Sequence, residues 1–199
     1  MDLSRVSSCD AETLTDAGRQ AAVIAPVLTR RGEDHVLFTK RADHLGEHPG
    51  QMSFPGGSRE PSDGDLRATA LREAYEEIGL RSNEVEFFGC LDDIKTVTDY
   101  SVTPFVARVP DREYDPDERE VAEIAVLAVS DLTNLDNYES EERMHPHYGK
   151  RRLHFFHVDG YTVWGATGRM LVQLLELTTD WRAPPEPDRV VDPDAELPL

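Results

Sequence analysis

The chain alternates short apolar runs with dense polar stretches, and the period of each run assigns it a shape. Residues 21–28 (AAVIAPVL) and 35–40 (HVLFTK) read as strands, with RGED between them as a hairpin turn. Residues 85–91, 103–109 and 121–129 read as further strands. Residues 153–158 and 161–164 flank Asp159-Gly160, a type I′ signal, and read as a second hairpin. Two segments carry the helical period instead, residues 65–78 and 165–177. In the first, Asp65 is placed to cap the N-terminus and Gly79 to end the helix in the left-handed conformation. Strands and helices are interspersed without a regular βαβ alternation, which predicts one α/β domain over residues 21–181, a mixed sheet with helices on its faces. The first twenty residues are polar and read as an arm or loose helix. The Pro- and Asp-rich tail, 182–199, is expected to be disordered.

Composition narrows this. A chain of 199 residues has room for one well-buried domain, and two would be cramped. With 39% hydrophobic residues and a mean hydropathy of -0.52, it reads as a soluble protein with a charged skin. No apolar run approaches the ~20 residues that span a bilayer, so no membrane partner is expected. The opening MDLSRVSSCDAETL carries acids where a secretory signal is basic and then apolar, and ELPL is no targeting address; a cytoplasmic location is expected. Cys9 and Cys90 are too few for a disulfide scaffold and lack metal-ligand spacing. The formal net charge of -18 argues against nucleic acid as a partner, since duplex binding needs clustered cations. Nearly all the cations are Arg, the lysines being Lys40, Lys95 and Lys150. Acids spread along the whole chain, with Lys scarce, predict a protein adapted to high salt that melts higher in molar KCl than in dilute buffer.

Residues 46–65 (GEHPGQMSFPGGSREPSDGD) form a loop too long for a plain connector, and such loops usually carry function. The helix that follows contains LREAYEEIGL. At ~100° per residue, Glu73, Glu76 and Glu77 share roughly one third of its circumference. Each like-charged pair costs a few tenths of a kcal/mol. Leu71, Ala74, Tyr75 and Ile78 fall opposite and are expected on the sheet, so that the carboxylates converge away from the core. Arg72 precedes Glu76 by four residues and can pair with it. Three convergent carboxylates are hard oxygen ligands, suited to Mg²⁺ or Mn²⁺ and poorly suited to zinc. In so acidic a chain the same three could be a solvated face. Gly56-Gly57, one loop upstream, changes the weighing, because its backbone amides can approach a phosphate. A carboxylate–metal cluster beside such a loop suits hydrolysis of a phosphoric anhydride, with one Glu as general base.

The stretch GGSREPSDGDLRATALREAYEEIGL resembles the Nudix box of the Nudix hydrolases, which cleave nucleoside diphosphates linked to another group. Arg72, Glu73, Glu76, Glu77, Gly79 and Leu80 match its second half, with Ala74 at an aliphatic position. The first half departs: Gly64 stands where the box has its first Glu, one residue has been added after Gly57, and Asp63 and Asp65 both stand near enough to replace that acid. Upstream, LFTKRADHLGEHPGQMSFPGG is similar to the motif of the coenzyme A pyrophosphatase branch, matching at Leu37, Thr39, Arg41, Leu45, His48, Gly50, Gln51 and residues 54–57. VWGATGRMLVQLLEL resembles the closing helix of that branch, and EVAEI its strand after the catalytic loop. The resemblance runs over residues 21–177.

It implies a Nudix-type α/β/α sandwich around a mixed β-sheet, and a Mg²⁺- or Mn²⁺-dependent enzyme with a coenzyme A-like nucleotide as its small-molecule substrate. Glu73, Glu76 and Glu77 are implied metal ligands, with Arg72 holding one of them. A further Glu from a later loop, Glu120 or Glu123, is implied as ligand or base. Arg41, His48, Gln51, Gly56 and Gly57 are candidate substrate contacts. The 3′-phosphate of coenzyme A needs its own cation, from Lys40-Arg41 or from the Lys150-Arg151-Arg152 run, of which Arg151 is the test position. A same-family enzyme acting on ADP-ribose, dinucleotides or nucleoside triphosphates is the first alternative; a non-catalytic nucleotide-binding module is the second. The sequence leaves monomer and homodimer both open.

Overall fold

The centre of the fold is a hairpin of β1 (Arg19–Arg30) and β2 (Glu33–Arg41). In this computed structural model, which describes residues 1–14, 18–42, 44, 50–96, 99–145, 149–193 and 195–197, its turn is two residues rather than the expected four. Arg31 and Gly32 take φ of 54° and 84°, the type I′ geometry whose twist matches the strands. Arg30 therefore pairs with Glu33 and Thr29 with Asp34.

Along the chain follow β3 (Met52–Ser53), β4 (Gly56–Ser58), α1 (Leu66–Ile78), β5 (Glu86–Cys90), β6 (Ile94–Lys95), β7 (Tyr100–Arg108), β8 (Val121–Ala128) and α2 (Val129–Leu132). Then come β9 (Tyr138–His145), β10 (Gly149–Val158), β11 (Tyr161–Val163), α3 (Gly165–Thr178) and β12 (Arg189–Val191). The main sheet runs β3-β2-β1-β7-β5, with β4 also on β1, β6 on β7 and β8 on β2. Only β1 and β7 are parallel within it, so the sheet is mixed. β1 is buried on both sides, as a central strand must be. Ala22, Ile24 and Leu28 pack under α1, whereas Ala21, Ala25 and Val27 join the core beneath α3. The expected architecture of helices on both faces of a mixed sheet is present.

A second sheet, β11-β10-β9-β12, covers the α3 side. Its β10–β11 hairpin turns at Asp159-Gly160 as expected, with φ of 52° and 81° and Val158 opposite Tyr161. Two terminal segments join the fold. The polar N-terminal stretch contributes a 3₁₀ turn, Leu3–Ser8, that buries Leu3 and Val6. The tail expected to be disordered lays down β12 in parallel beside β9. Its composition offers little apolar surface, but Arg143 and Arg152 on the sheet bond the carbonyls of Pro185, Glu186, Ala195 and Glu196. Asp188 accepts from the Ser140 amide as well. Those partners lie some forty residues upstream, where local composition cannot register them.

Candidate active site

α1 starts and stops where its sequence says. The Asp65 carboxylate accepts from the Ala68 amide at 2.7 Å, an N-cap worth about 1 kcal/mol, and Gly79 ends the helix at φ 64°. Its buried arc is narrower than expected: Ala70, Ala74 and Ile78 are fully buried, but Tyr75 is 60% exposed rather than packed on the sheet. Tyr75 sits about 100° round the helix from Ala74, beyond the reach of the sheet. Glu77 lies about 60° from Ala74 on the other flank. The carboxylates therefore fan from the sheet to solvent instead of converging away from the core, with Glu77 and Glu73 half-buried and Glu76 exposed.

β4 explains how close they come. Gly56 donates its N–H to Glu77 Oε2 at 3.0 Å. A Cβ on Gly56, at φ 149°, would stand 2.3 Å from the Ala22 carbonyl oxygen, and one on Gly57 would stand 2.6 Å from the Glu73 carboxyl carbon. A side chain at Gly56 would push β4 off β1, and one at Gly57 would displace the Glu73 carboxylate. The Gly56 amide, expected to face a phosphate, is directed at Glu77. Burial lifts the Glu77 carboxyl to about 8, against the Gly56 hydrogen bond, with the charges of Glu73 and Glu120 adding and that of Arg41 opposing. Glu73 is also raised, again by burial first, with Arg72 opposing and Glu76 and Glu120 adding.

Asp63 and Asp65, the two acids near the place of the missing box Glu, have different partners. Asp65 caps the helix, while Asp63, 5% exposed, takes Arg72 Nε at 3.0 Å and Nη2 at 3.1 Å. The Arg72 hydrogen bond, followed by the Glu60 amide, holds Asp63 well below the usual carboxylate range. Arg72 then reaches Glu73 Oε1 and Glu76 Oε2, both at 3.1 Å, and the Ser58 carbonyl at 2.9 Å. One arginine thus ties two of the three helix glutamates to the loop.

Glu120 and Glu123, equal candidates by sequence, are separated by the pleat. Ile124 and Val126 pack with the α1 core, whereas Ala125 and Leu127 belong to the α3 core, so Glu123 shares the α3 face. There it accepts a hydrogen bond from the Tyr161 hydroxyl. Glu120 precedes the strand, its carbonyl held by the Ala42 amide at 2.9 Å, and its charge acts on both Glu73 and Glu77. Arg41, across a bulge from Val121, also acts on Glu77. Gln51 lies beside α3, where a Cβ on Gly165 would stand 3.3 Å from its Nε2. His48 lies outside the described residues. In the basic run, Lys150 pairs with Glu142 at 2.8 Å and Arg152 holds Ser140 and the tail; Arg151 is exposed on β10, opposite Arg143. The sequence reading missed Tyr161, whose partner is remote in the chain.

The carboxylates Glu73, Glu77 and Glu120 act on one another, but among the described residues no three acids, histidines or cysteines already close around a point as a formed cation cage. Their chemistry fits a hard divalent cation: all are oxygen donors, and burial disfavours the ionised form of Glu77 by more than its Gly56 hydrogen bond favours it.

A Nudix domain model matches residues 18–148, and the chain belongs to the Nudix family. It is 39% identical over 160 residues to the uncharacterized Nudix hydrolase NudL of Enterobacter sp. (strain 638), covering 78% of this chain and 81% of that protein. To its counterpart in Cronobacter sakazakii it is 38% identical over 157 residues, with the same coverage. Among solved structures, the Nudix hydrolase RenU of M. smegmatis matches 57% of this chain and 72% of its own, at TM-score 0.49 and 21% identity. The chain is thus a Nudix hydrolase, of a family that acts on nucleoside diphosphate derivatives and generally uses divalent metal ions. Among the described residues, no helix is long and apolar enough to cross a membrane.

Proposed function

We propose that the enzyme hydrolyses coenzyme A or its thioesters, with water attacking the 5′-pyrophosphate to give adenosine 3′,5′-bisphosphate and (acyl-)4′-phosphopantetheine. The observation that carries the hydrolytic part is the half-buried Glu77, hydrogen-bonded to Gly56 and acted on by the charges of Glu73 and Glu120. The choice of coenzyme A rests on the segment from Leu37 to Gly57 and its likeness to that branch of the family.

Glu73, Glu76 and Glu77 would hold Mg²⁺ or Mn²⁺, which supplies charge neutralisation at the pyrophosphate and a more acidic water. Arg72, anchored by Asp63, orients Glu73 and Glu76. Glu120 takes the proton from the attacking water, a role favoured over Glu123 because Glu123 faces the other side of the sheet. Arg41 meets the substrate phosphates, and Gln51 and His48 are kept as substrate contacts on the likeness to the branch motif alone. Within the Lys150-Arg151-Arg152 run, Arg151, exposed on β10, is the position at which the 3′-phosphate contact is tested.

The test is a panel of coenzyme A, an acyl-coenzyme A, ADP-ribose and NADH, with Mg²⁺ and with Mn²⁺, read by product mass. Turnover concentrated on coenzyme A and its thioester is the expected result. Preference for ADP-ribose or NADH would move the substrate elsewhere in the family, and binding without turnover of any would indicate a nucleotide-binding module. Arg151→Ala should raise KM for coenzyme A far more than for its dephospho form; equal effects would remove Arg151 from the site.

A further inference from the structure

On the α1 side of the sheet, beyond the carboxylates, part of β8 is left uncovered and a cleft of about 690 Å³ opens over it. Ile124 and Val126, both half-buried, line it from the strand. Arg30, Arg31, Arg112 and Tyr114 form the rim, with Asp111 and Glu113 between them. The volume falls within the roughly 300–1,000 Å³ of small-molecule sites. Three arginines face Asp111, Glu113 and, behind Arg112, Glu84, so the rim is balanced in charge within a chain whose net charge is -18.

Two of the arginines are held rigidly. Arg30 donates twice to Asp111, at 3.0 and 2.8 Å. Arg112 donates twice to Glu84, at 2.9 and 2.7 Å, and its guanidinium stands over the Tyr114 ring, 4.2 Å from the centroid. Arg31 differs: it is exposed at the hairpin tip and makes no ion pair among the described residues. The rim therefore combines a fixed planar group beside an aromatic ring with one cation whose charge is uncommitted.

We propose that this cleft binds a nucleoside phosphate, its phosphate at Arg31 and its base against the apolar floor and the Arg112–Tyr114 pair. A guanidinium fork matches phosphate oxygens, and a base is accepted by apolar and guanidinium surfaces alike. The site is separate from the carboxylates. Ile124 lies three residues along β8 from Val121, the partner of Arg41, which is about 10 Å at the rise of a strand. The segment leading into β8 folds back onto α1 between them, the Asp117 amide bonding the Glu77 carbonyl at 2.9 Å.

Isothermal titration of the full chain with AMP, in EDTA so that no divalent cation loads the carboxylates, tests this. Wild type and Glu77→Gln should each bind one AMP, and adenosine or inorganic phosphate alone should bind more weakly. Arg31→Asn should weaken AMP about tenfold, the loss expected for one charge-assisted contact. Asn tolerates the left-handed φ of this turn, so the hairpin survives, and a melting curve verifies it. Val126→Glu, which places an acid on the floor, should abolish binding, while metal-dependent turnover by Arg31→Asn stays at the wild-type level. Absence of AMP binding to wild type, wild-type affinity in both cleft variants, or loss of binding in Glu77→Gln would each overturn the proposal. None of these outcomes bears on the coenzyme A reading, which the product panel decides.

Discussion

Glu77 on α1 and His154 on β10 are both displaced by burial from their ordinary titration range, in opposite directions and for different ends. Glu77 is raised to about 8 beside Glu73 and Glu120, where an added cation would be welcome. His154 is lowered to about 4, with the charges of Arg152 and Arg169 adding, and sits against the Tyr138 hydroxyl at 2.7 Å inside the second sheet. One region stores electrostatic tension that a ligand can relieve; in the other, His154 already has its hydrogen-bond partner within the protein. A site keeps unfinished chemistry, and a scaffold completes it.

The largest expected effect lies on the α1 side. Glu77→Gln should lower kcat on the order of 10²–10⁴-fold without lowering the melting temperature in EDTA, since it removes a poorly accommodated charge. Unchanged turnover would reduce that region to the same structural status as the second sheet. Next, Asp63→Ala should cost about 10- to 100-fold in activity, because Arg72 loses its anchor and with it the placing of Glu73. Asp63→Glu should recover part of the loss, and a drop in melting temperature without a kinetic change would assign Asp63 to the fold alone.

On the other side, Arg143→Ala should leave kcat intact and cost about 2–3 kcal/mol, measured by urea unfolding. Glu141, 1% exposed, keeps Arg189 as a partner but loses the closer arginine, and the tail loses its hold on Ala195 and Glu196. Limited proteolysis should then cut the tail first. An activity loss as large as that of Asp63→Ala would erase the distinction between the two regions.

The smallest effects are the pH slopes, and their signs are opposite. The folded Glu77 binds a proton more tightly than the unfolded one, so its contribution to stability is full below the unfolded value near 4.5 and is lost as pH rises through about 8. The unfolded His154 binds a proton more tightly than the folded one, so its contribution is present above about 6.5 and is lost as pH falls towards about 4. Melting temperatures in EDTA should fall on both flanks. Glu77→Gln should flatten the alkaline flank only and His154→Gln the acid flank only; saturating Mg²⁺ should reproduce the first change in wild type.

The two regions also differ in how far they can be read from sequence. α1 was legible almost to the residue, from Asp65 to Gly79, because caps and helical period are set by neighbours within one or two turns. The hairpins at Gly32 and Gly160 were legible for the same reason. The second sheet was only half visible: the β10–β11 hairpin has a turn signal, while β9 and β12 are charged strands held by partners such as Arg143 and Asp188. Within the site, sequence offered Glu120 and Glu123 equally and Asp63 and Asp65 equally. A strand's pleat and a helix's first turn separated each pair.

The sequence by itself determined the Nudix helix, its three glutamates, the glycine pair and the mixed α/β architecture, since these follow from local period, capping and a contiguous motif. Only the tertiary structure decided that Glu77 turns inward to Gly56, that Asp63 anchors Arg72, and that the acidic tail pairs with a sheet. Each of these depends on the distance between residues remote along the chain, and no local property of either partner encodes that distance.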